Sequence, residues 1–247
     1  MSTPNQASDT LLALALKHRR LHLGCGDFAP EGWLNCDGSW HLFLARRPWL
    51  KKLAVALRVL PRTHLEHPWP ESIVRINLRH KLPFPDNTFD GVYSSHVIEH
   101  LHRNEAQALM KELHRTCRPG GIVRMAVPNL AKYIADYQNR IISPKSPSET
   151  PADTFMQRLQ LRPPNAPVYP SRLRTLYHAL VDFNSHKWLY DRDSLMALFQ
   201  EAGFQTSRER EILASDIPGI DAIERPERIG GGGTLIVEGV KEGACHA

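Results

Sequence analysis

Two groups of residues in this chain have types and spacings that could do chemistry. The first is L-H-L-G-C-G followed by G-W-L-N-C-D, where Gly24 and Gly26 flank Cys25 and Asp37 ends the run. Glycines at a strand end let the backbone approach a ligand with no Cβ in the way. A carboxylate at the end of the neighbouring strand can accept bonds from both hydroxyls of a ribose. The second is S-S-H-V-I-E-H-L, which sets His96, Glu99 and His100 in H-x-x-E-H. That is the inverted zinc-peptidase spacing, and it works only when both histidines share one helix. Here Gly91 to Ser95 reads as a strand running straight into His96, so a zinc peptidase is the least favoured alternative and no metal ligand is assigned. His100 is read as a structural histidine.

G-C-G-D-F-A also satisfies the loose dinucleotide pattern G-x-G-x-x-G/A. Two features oppose a nicotinamide cofactor. The acid of that fingerprint stands roughly 20 residues further on, and Asp37 is much nearer. The link from Gly26 to Trp33 is shorter than the roughly 10–12 residues of a helical crossover. A ligand with a ribose and no pyrophosphate fits better.

These residues need a sheet to hold them. Leu21 and Leu23 form a short apolar run ending at the glycines, as a buried parallel strand does, and Trp33 to Asp37 suggests a second strand. Ser72 to Leu78 reads as a third strand, Gly91 to Ser95 as a fourth, Ile122 to Val127 as a fifth, Phe204 to Ala214 as a sixth and Thr234 to Val240 as a last. Between them the pattern predicts helices over Thr10 to His18 (capped by Asp9), Asn104 to Cys117, Asn129 to Gln138, Phe155 to Leu161, Arg172 to Leu180 and Asp191 to Ala202. Gly203 serves as a left-handed cap. Strands alternating with helices predict a parallel sheet with right-handed crossovers. Trp49, Leu50, Leu53, Leu57 and Leu60 fall at helical spacing within Arg46 to Arg62, predicting a surface helix docked on the core. A basic amphipathic helix touching a membrane is its alternative.

Composition narrows the class. The chain has 247 residues, enough for one α/β domain, with 31 Lys and Arg against 26 Asp and Glu and a net charge of +5. The positive charge is scattered, so no nucleic-acid partner is expected. Cys25, Cys36, Cys117 and Cys245 form no C-x-x-C pair, which argues against a disulfide framework or a cysteine zinc site and suits a reducing cytoplasm. The N-terminal apolar run is followed, not preceded, by basic residues, unlike a signal peptide. No run approaches the roughly 20 apolar residues of a membrane span. His64 and His67, in a proline-flanked loop, are assigned no metal.

Taken together, L-H-L-G-C-G, G-W-L-N-C-D, L-P-F-P-D-N-T-F-D, S-S-H-V-I-E-H-L, R-P-G-G, H-K-W-L-Y and L-F-Q-E-A-G-F resemble a class I S-adenosylmethionine-dependent methyltransferase. The likeness is to the bacterial predicted-methyltransferase subgroup, of methyltransferase type 11 kind. It implies one Rossmann-like domain over 1–247: a seven-stranded, mostly parallel sheet with an antiparallel last strand, in three α/β/α layers. It implies a helical and loop insertion at 46–70 and a lid insertion at 139–185, much of it proline-rich, over the acceptor site.

The resemblance also implies roles. Gly24, Cys25 and Gly26 would lie against the methionine and ribose of the cofactor, and Asp37 would bind the ribose hydroxyls. Asn77, by its side chain, and Leu78, by its backbone N–H, would meet the adenine. Ser95 and His96 would face the methionine end. Independently of the resemblance, the chemistry of such a cofactor suits a cleft with apolar walls such as Phe84 and Val97. His186 matches the subgroup's histidine in H-K-W-L-Y and is the first candidate for a catalytic base, with His96 second. Two departures stand out: Phe28 replaces the usual third glycine, and Asn77 replaces a commoner acid. The implied activity is methyl transfer to a glycan hydroxyl, a lipid or a small metabolite. A cofactor-binding module without catalysis is the alternative.

Overall fold

The computed structural model describes residues 4–57, 69–142, 150–161, 185–229 and 233–243. Helix α1 (Pro4–His18) leads into β1 (Arg20–Leu23) and β2 (Leu34–Asp37). The short helices α2 (Trp40–Ala45) and α3 (Pro48–Ala56) precede β3 (Val74–Arg75). Then come β4 (Phe89–Ser95), α4 (Arg103–Thr116), β5 (Cys117–Pro128), α5 (Leu130–Ile142) and α6 (Pro151–Leu159). The chain finishes with α7 (Arg192–Glu201), β6 (Thr206–Glu209), α8 (Pro226–Ile229) and β7 (Thr234–Val240).

The strands form one sheet in the order β3-β2-β1-β4-β5-β7-β6. The first five pair in parallel, and β7 runs antiparallel to both β5 and β6. This is the doubly wound sheet with a reversed last strand that the resemblance implies. Its parallel strands end at one edge, and the strand order reverses between β1 and β4. Ligands bind at such a switch point, beyond the carboxyl ends of the strands.

One face is packed by helices. In α4, Ala106, Leu109, Met110 and Leu113 recur at helical spacing and are buried against Leu21, Leu23, Val92 and Val123. Each of the leucine and methionine side chains contributes roughly 1.5–3 kcal/mol by leaving water. Glu105 starts the helix by accepting the His102 backbone N–H at 2.9 Å. In α7, Asp191 accepts from the Ser194 N–H at 2.8 Å, and Gly203 at φ +105° ends the helix.

The other face is closed differently. Trp33, Tyr93 and Ile122 meet Ile217, Ile220 and Ile223 from the segment before α8. That segment is pinned by Arg124 of β5, whose guanidinium is fully buried. It donates to Glu224 at 2.5 and 2.8 Å, to Glu238 at 2.9 Å, and to the carbonyls of Glu211 and Ala214. Alternation along a strand places Arg124 opposite Glu238 of β7, its antiparallel partner.

Several boundaries differ from the sequence expectations. The third strand is Val74–Arg75 rather than Ser72 to Leu78, because the chain turns at Asn77. β5 begins at Cys117, and R-P-G-G lies inside it rather than in a turn before it. β6 is Thr206–Glu209, shorter than Phe204 to Ala214. The cap of α4 is His102 instead of Asn104. Within the expected lid, α6 starts at Pro151 on a Thr150 cap, and Arg172 to Leu180 lies outside the described residues. α3 does not dock on the core: none of its residues is buried, and Trp49 and Leu53 are 67 % and 47 % exposed. The place beneath the glycine loop is taken by Leu42 of α2, packed with Cys25 and Ile73. Among the described residues no helix is long and apolar enough to cross a membrane.

Candidate functional site

The site begins where β1 ends. Gly24 and Gly26 hold φ values of +66° and +60°, the left-handed region that glycine enters without a Cβ penalty. A Cβ on Gly24 would stand 2.1 Å from the Val97 side chain, so that position also demands close approach. Cys25 between them is buried, and its N–H donates to the Cys36 carbonyl.

Asp37 closes the loop from the next strand. Its Oδ2 accepts the Gly26 backbone N–H at 2.9 Å and its Oδ1 accepts the Ser39 N–H at 2.7 Å. Two backbone donors orient the carboxylate, and each oxygen keeps a second lone pair for a ligand hydroxyl. The carboxylate is nine-tenths buried at the carboxyl edge of the sheet. Burial raises the pKa of the neighbouring Cys36 thiol well above its ordinary value, and the Cys25 and Asp37 charges push the same way.

Past β3, the Asn77 side-chain oxygen accepts the Arg79 N–H at 3.1 Å, and the residue is exposed. The oxygen expected to bind an adenine amino group is therefore already engaged in a local turn. Leu78 is half-buried against the main core. Phe84 is not a cleft wall. It is buried in the core, edge-on to Phe89 at 4.9 Å. Phe28, standing where a third glycine is usual, turns to the opposite face and packs with the Trp33 and Tyr93 cluster.

Beyond β4 the chain takes a sharp bend. His96 adopts φ +54°, unusual for a residue with a Cβ. A single 3₁₀ turn, Ile98–His100, follows. His96 and His100 therefore do not share a helix face, as the strand preceding His96 predicts. Ser95 is half-buried at the strand end. His96 Nδ1 lies 3.1 Å from Oε1 of Glu99, whose side chain is fully buried. Burial lowers the His96 pKa. The bond to Glu99, its charge and a bond to the Ile229 backbone outweigh that, so the net shift is upward.

His186 arrives from the far side of the expected lid. It is buried, its Nδ1 lies 2.8 Å from the Leu159 carbonyl, and its ring stands 5.0 Å from that of His100. Burial lowers its pKa against the opposing pull of Glu99. The backbone joins the same residues: Lys187 and Trp188 donate their N–H groups to the Glu99 carbonyl at 2.6 and 3.2 Å. Glu99 is thus the common neighbour of His96 and His186. Sequence spacing marks Glu99 only as the acid of H-x-x-E-H. A carboxylate inside an otherwise apolar run, V-I-E-H-L, was the signal for its burial.

A cleft of about 700 Å³ lies elsewhere, between α2, α3 and Trp69–Glu71, lined by Arg46, Lys51 and Lys52. None of the residues expected to hold a cofactor borders it.

The doubly wound sheet in this strand order, the glycine loop after β1 and the oriented carboxylate ending β2 are the arrangement that the resemblance to class I S-adenosylmethionine-dependent methyltransferases implies. Residues 21–125 match the model of a family described as a methyltransferase domain. An uncharacterised methyltransferase of Schizosaccharomyces pombe is 47 % identical over 132 residues, which cover 49 % of this chain and 44 % of that protein. The chain thus spans less than half the length of that curated relative. Among solved structures, a SAM-dependent methyltransferase of Methanosarcina mazei aligns over 91 % of this chain and 92 % of its own, at 15 % identity and TM-score 0.45. The YcgJ protein of Bacillus subtilis aligns over 97 % and 100 %, at 12 % identity and TM-score 0.45.

Proposed function

We propose that this chain binds S-adenosylmethionine at the Gly24–Asp37 loop and transfers its methyl group to a hydroxyl-bearing acceptor, a glycan, a lipid or a small metabolite. The observation that carries this reading is the Asp37 carboxylate. Gly26 and Ser39 hold it by their amides, with lone pairs left for two ribose hydroxyls. The loop fits the group: the missing Cβ at Gly24 leaves the backbone bare beside the carboxylate. In this reading Gly24, Cys25 and Gly26 lie along the ribose and methionine. Leu78 offers its N–H and Asn77 its amide NH₂ toward the adenine, while Ser95 and His96 face the methionine end.

When bound, the cofactor supplies an electrophilic methyl on a sulfonium. The protein's part is alignment, which can supply about 7–11 kcal/mol at best, and removal of the acceptor proton. His96, with its pKa raised and its Nδ1 anchored on Glu99, is placed to take that proton, and His186 stands behind the same carboxylate.

Calorimetry with S-adenosylmethionine and its demethylated product tests the reading. We expect micromolar binding of both, weakened at least tenfold in Asp37→Ala. Equal binding by Asp37→Ala would overturn it. Binding without methyl incorporation into any glycan, lipid or metabolite fraction would instead favour a binding module.

A further inference from the structure

Glu99, His100 and His186, two of which the methyl-transfer reading already uses, also form a constellation of metal-ligand type. One ligand atom from each lies within 4.8 Å of the others. Glu99 is fully buried and asymmetrically used: Oε1 faces His96 Nδ1, while Oε2 is buried with no hydrogen-bond partner. A buried carboxylate oxygen left bare costs several kcal/mol unless a cation or donor meets it.

The histidines complete the set. His100 Nδ1 lies 3.3 Å from the Ser185 carbonyl and His186 Nδ1 lies 2.8 Å from the Leu159 carbonyl. A carbonyl only accepts, so each Nδ1 carries the proton, and each Nε2 keeps the lone pair that a metal takes. Metal-binding histidines are oriented in this way, with the second nitrogen donating to a backbone carbonyl.

We propose that Glu99, His100 and His186 bind one divalent transition-metal ion of the zinc class. Two imidazoles and one carboxylate are a donor set for zinc with open coordination positions. Hard cations such as magnesium prefer all-oxygen sites. Ligands about 2.1 Å from a tetrahedral zinc stand about 3.4 Å apart, so the three groups, within 4.8 Å of one another, need only small side-chain movements to close on the ion. This differs from the zinc arrangement that H-x-x-E-H spacing suggests. His96 is not a ligand but holds the other oxygen of Glu99, and His186 replaces it as the second imidazole. The ion would tie the short turn after β4 to the segment following α6. The Tyr190 hydroxyl, buried and unpartnered within electrostatic reach of Glu99, stands beside the site.

The test uses the full chain without a histidine tag, stripped with chelator and dialysed against zinc sulfate, with metal content measured by mass spectrometry. One zinc per chain is expected. Affinity should fall at least tenfold in each of Glu99→Gln, His100→Gln and His186→Gln. Cobalt in place of zinc should give the visible absorption of a four- or five-coordinate ion, lost in the same variants. Binding of the demethylated cofactor, unchanged in His100→Gln, separates loss of the metal from loss of the fold or of the methyltransferase reading. If a variant does not fold, zinc protection of the wild-type imidazoles from diethyl pyrocarbonate, mapped to His100 and His186, serves in its place. Substoichiometric zinc, zinc binding that survives all three substitutions, or tighter binding of magnesium would overturn the proposal.

Discussion

Val97 occupies the space into which a side chain on Gly24 would grow: the nearest methyl stands 2.1 Å from the would-be Cβ. The floor of the glycine loop is therefore set by a residue on the far side of the switch point, just beyond β4. Gly24→Ala must displace Val97 and also hold φ +66°, a strain of roughly 1–2 kcal/mol. Affinity for the demethylated cofactor is expected to fall at least tenfold by calorimetry. Adding Val97→Ala should recover part of that loss, because it removes the clash and leaves the strain.

The buried Arg124 is expected to matter more to stability than any single apolar residue beside it. Removing it strands the buried Glu224 carboxylate without its cation, while Glu238 keeps Arg210 at 2.8 Å. Arg124→Met should cost about 3–5 kcal/mol in urea unfolding. Combining it with Glu224→Gln should restore part of the loss, since the stranded charge goes with it.

Acid sensitivity should be readable at Arg115. It donates to Glu112, to Asp86 and to the carbonyls of Leu82 and Phe84, and so holds the L-P-F-P-D-N-T-F-D turn against α4. The bond to Arg115 lowers the Glu112 pKa below its ordinary value, against a smaller opposing effect of burial. A carboxylate depressed in the folded state stabilises above its unfolded pKa, and that stabilisation is lost as pH falls through the folded value. Arg115→Ala should therefore cost about 1–3 kcal/mol at pH 7. The gap between variant and wild type should narrow from about pH 4.5 downward, as followed by thermal melts across pH.

Helix α3 should be tolerant. With Trp49 and Leu53 largely exposed and no α3 residue buried, Trp49→Ala and Leu53→Ala are expected to change unfolding free energy by less than about 0.5 kcal/mol. A larger cost, measured in urea, would mean that this face is covered in solution.

Local chemistry made part of this protein legible before any coordinates. G-C-G must turn, an acid ending the second strand must face the same edge as those glycines, and the 3.6-residue spacing of Ala106, Met110 and Leu113 must bury one helix face. Thr234 to Val240 was readable to the residue because an apolar run after a glycine cluster has few other fates. Positions that depend on distant partners were not legible. The Asn77 side-chain oxygen accepts the N–H of Arg79 in its own turn, and Phe84 sits in the core rather than at a cleft. Arg124, an unremarkable charge in its strand, finds two carboxylates 100 and 114 residues later. Glu99, His100 and His186 meet only because the strand order brings the turn after β4 beside the chain that follows α6. Periodicity reports which face of an element is buried; only packing decides which buried polar groups share a face, because their partners lie far along the chain.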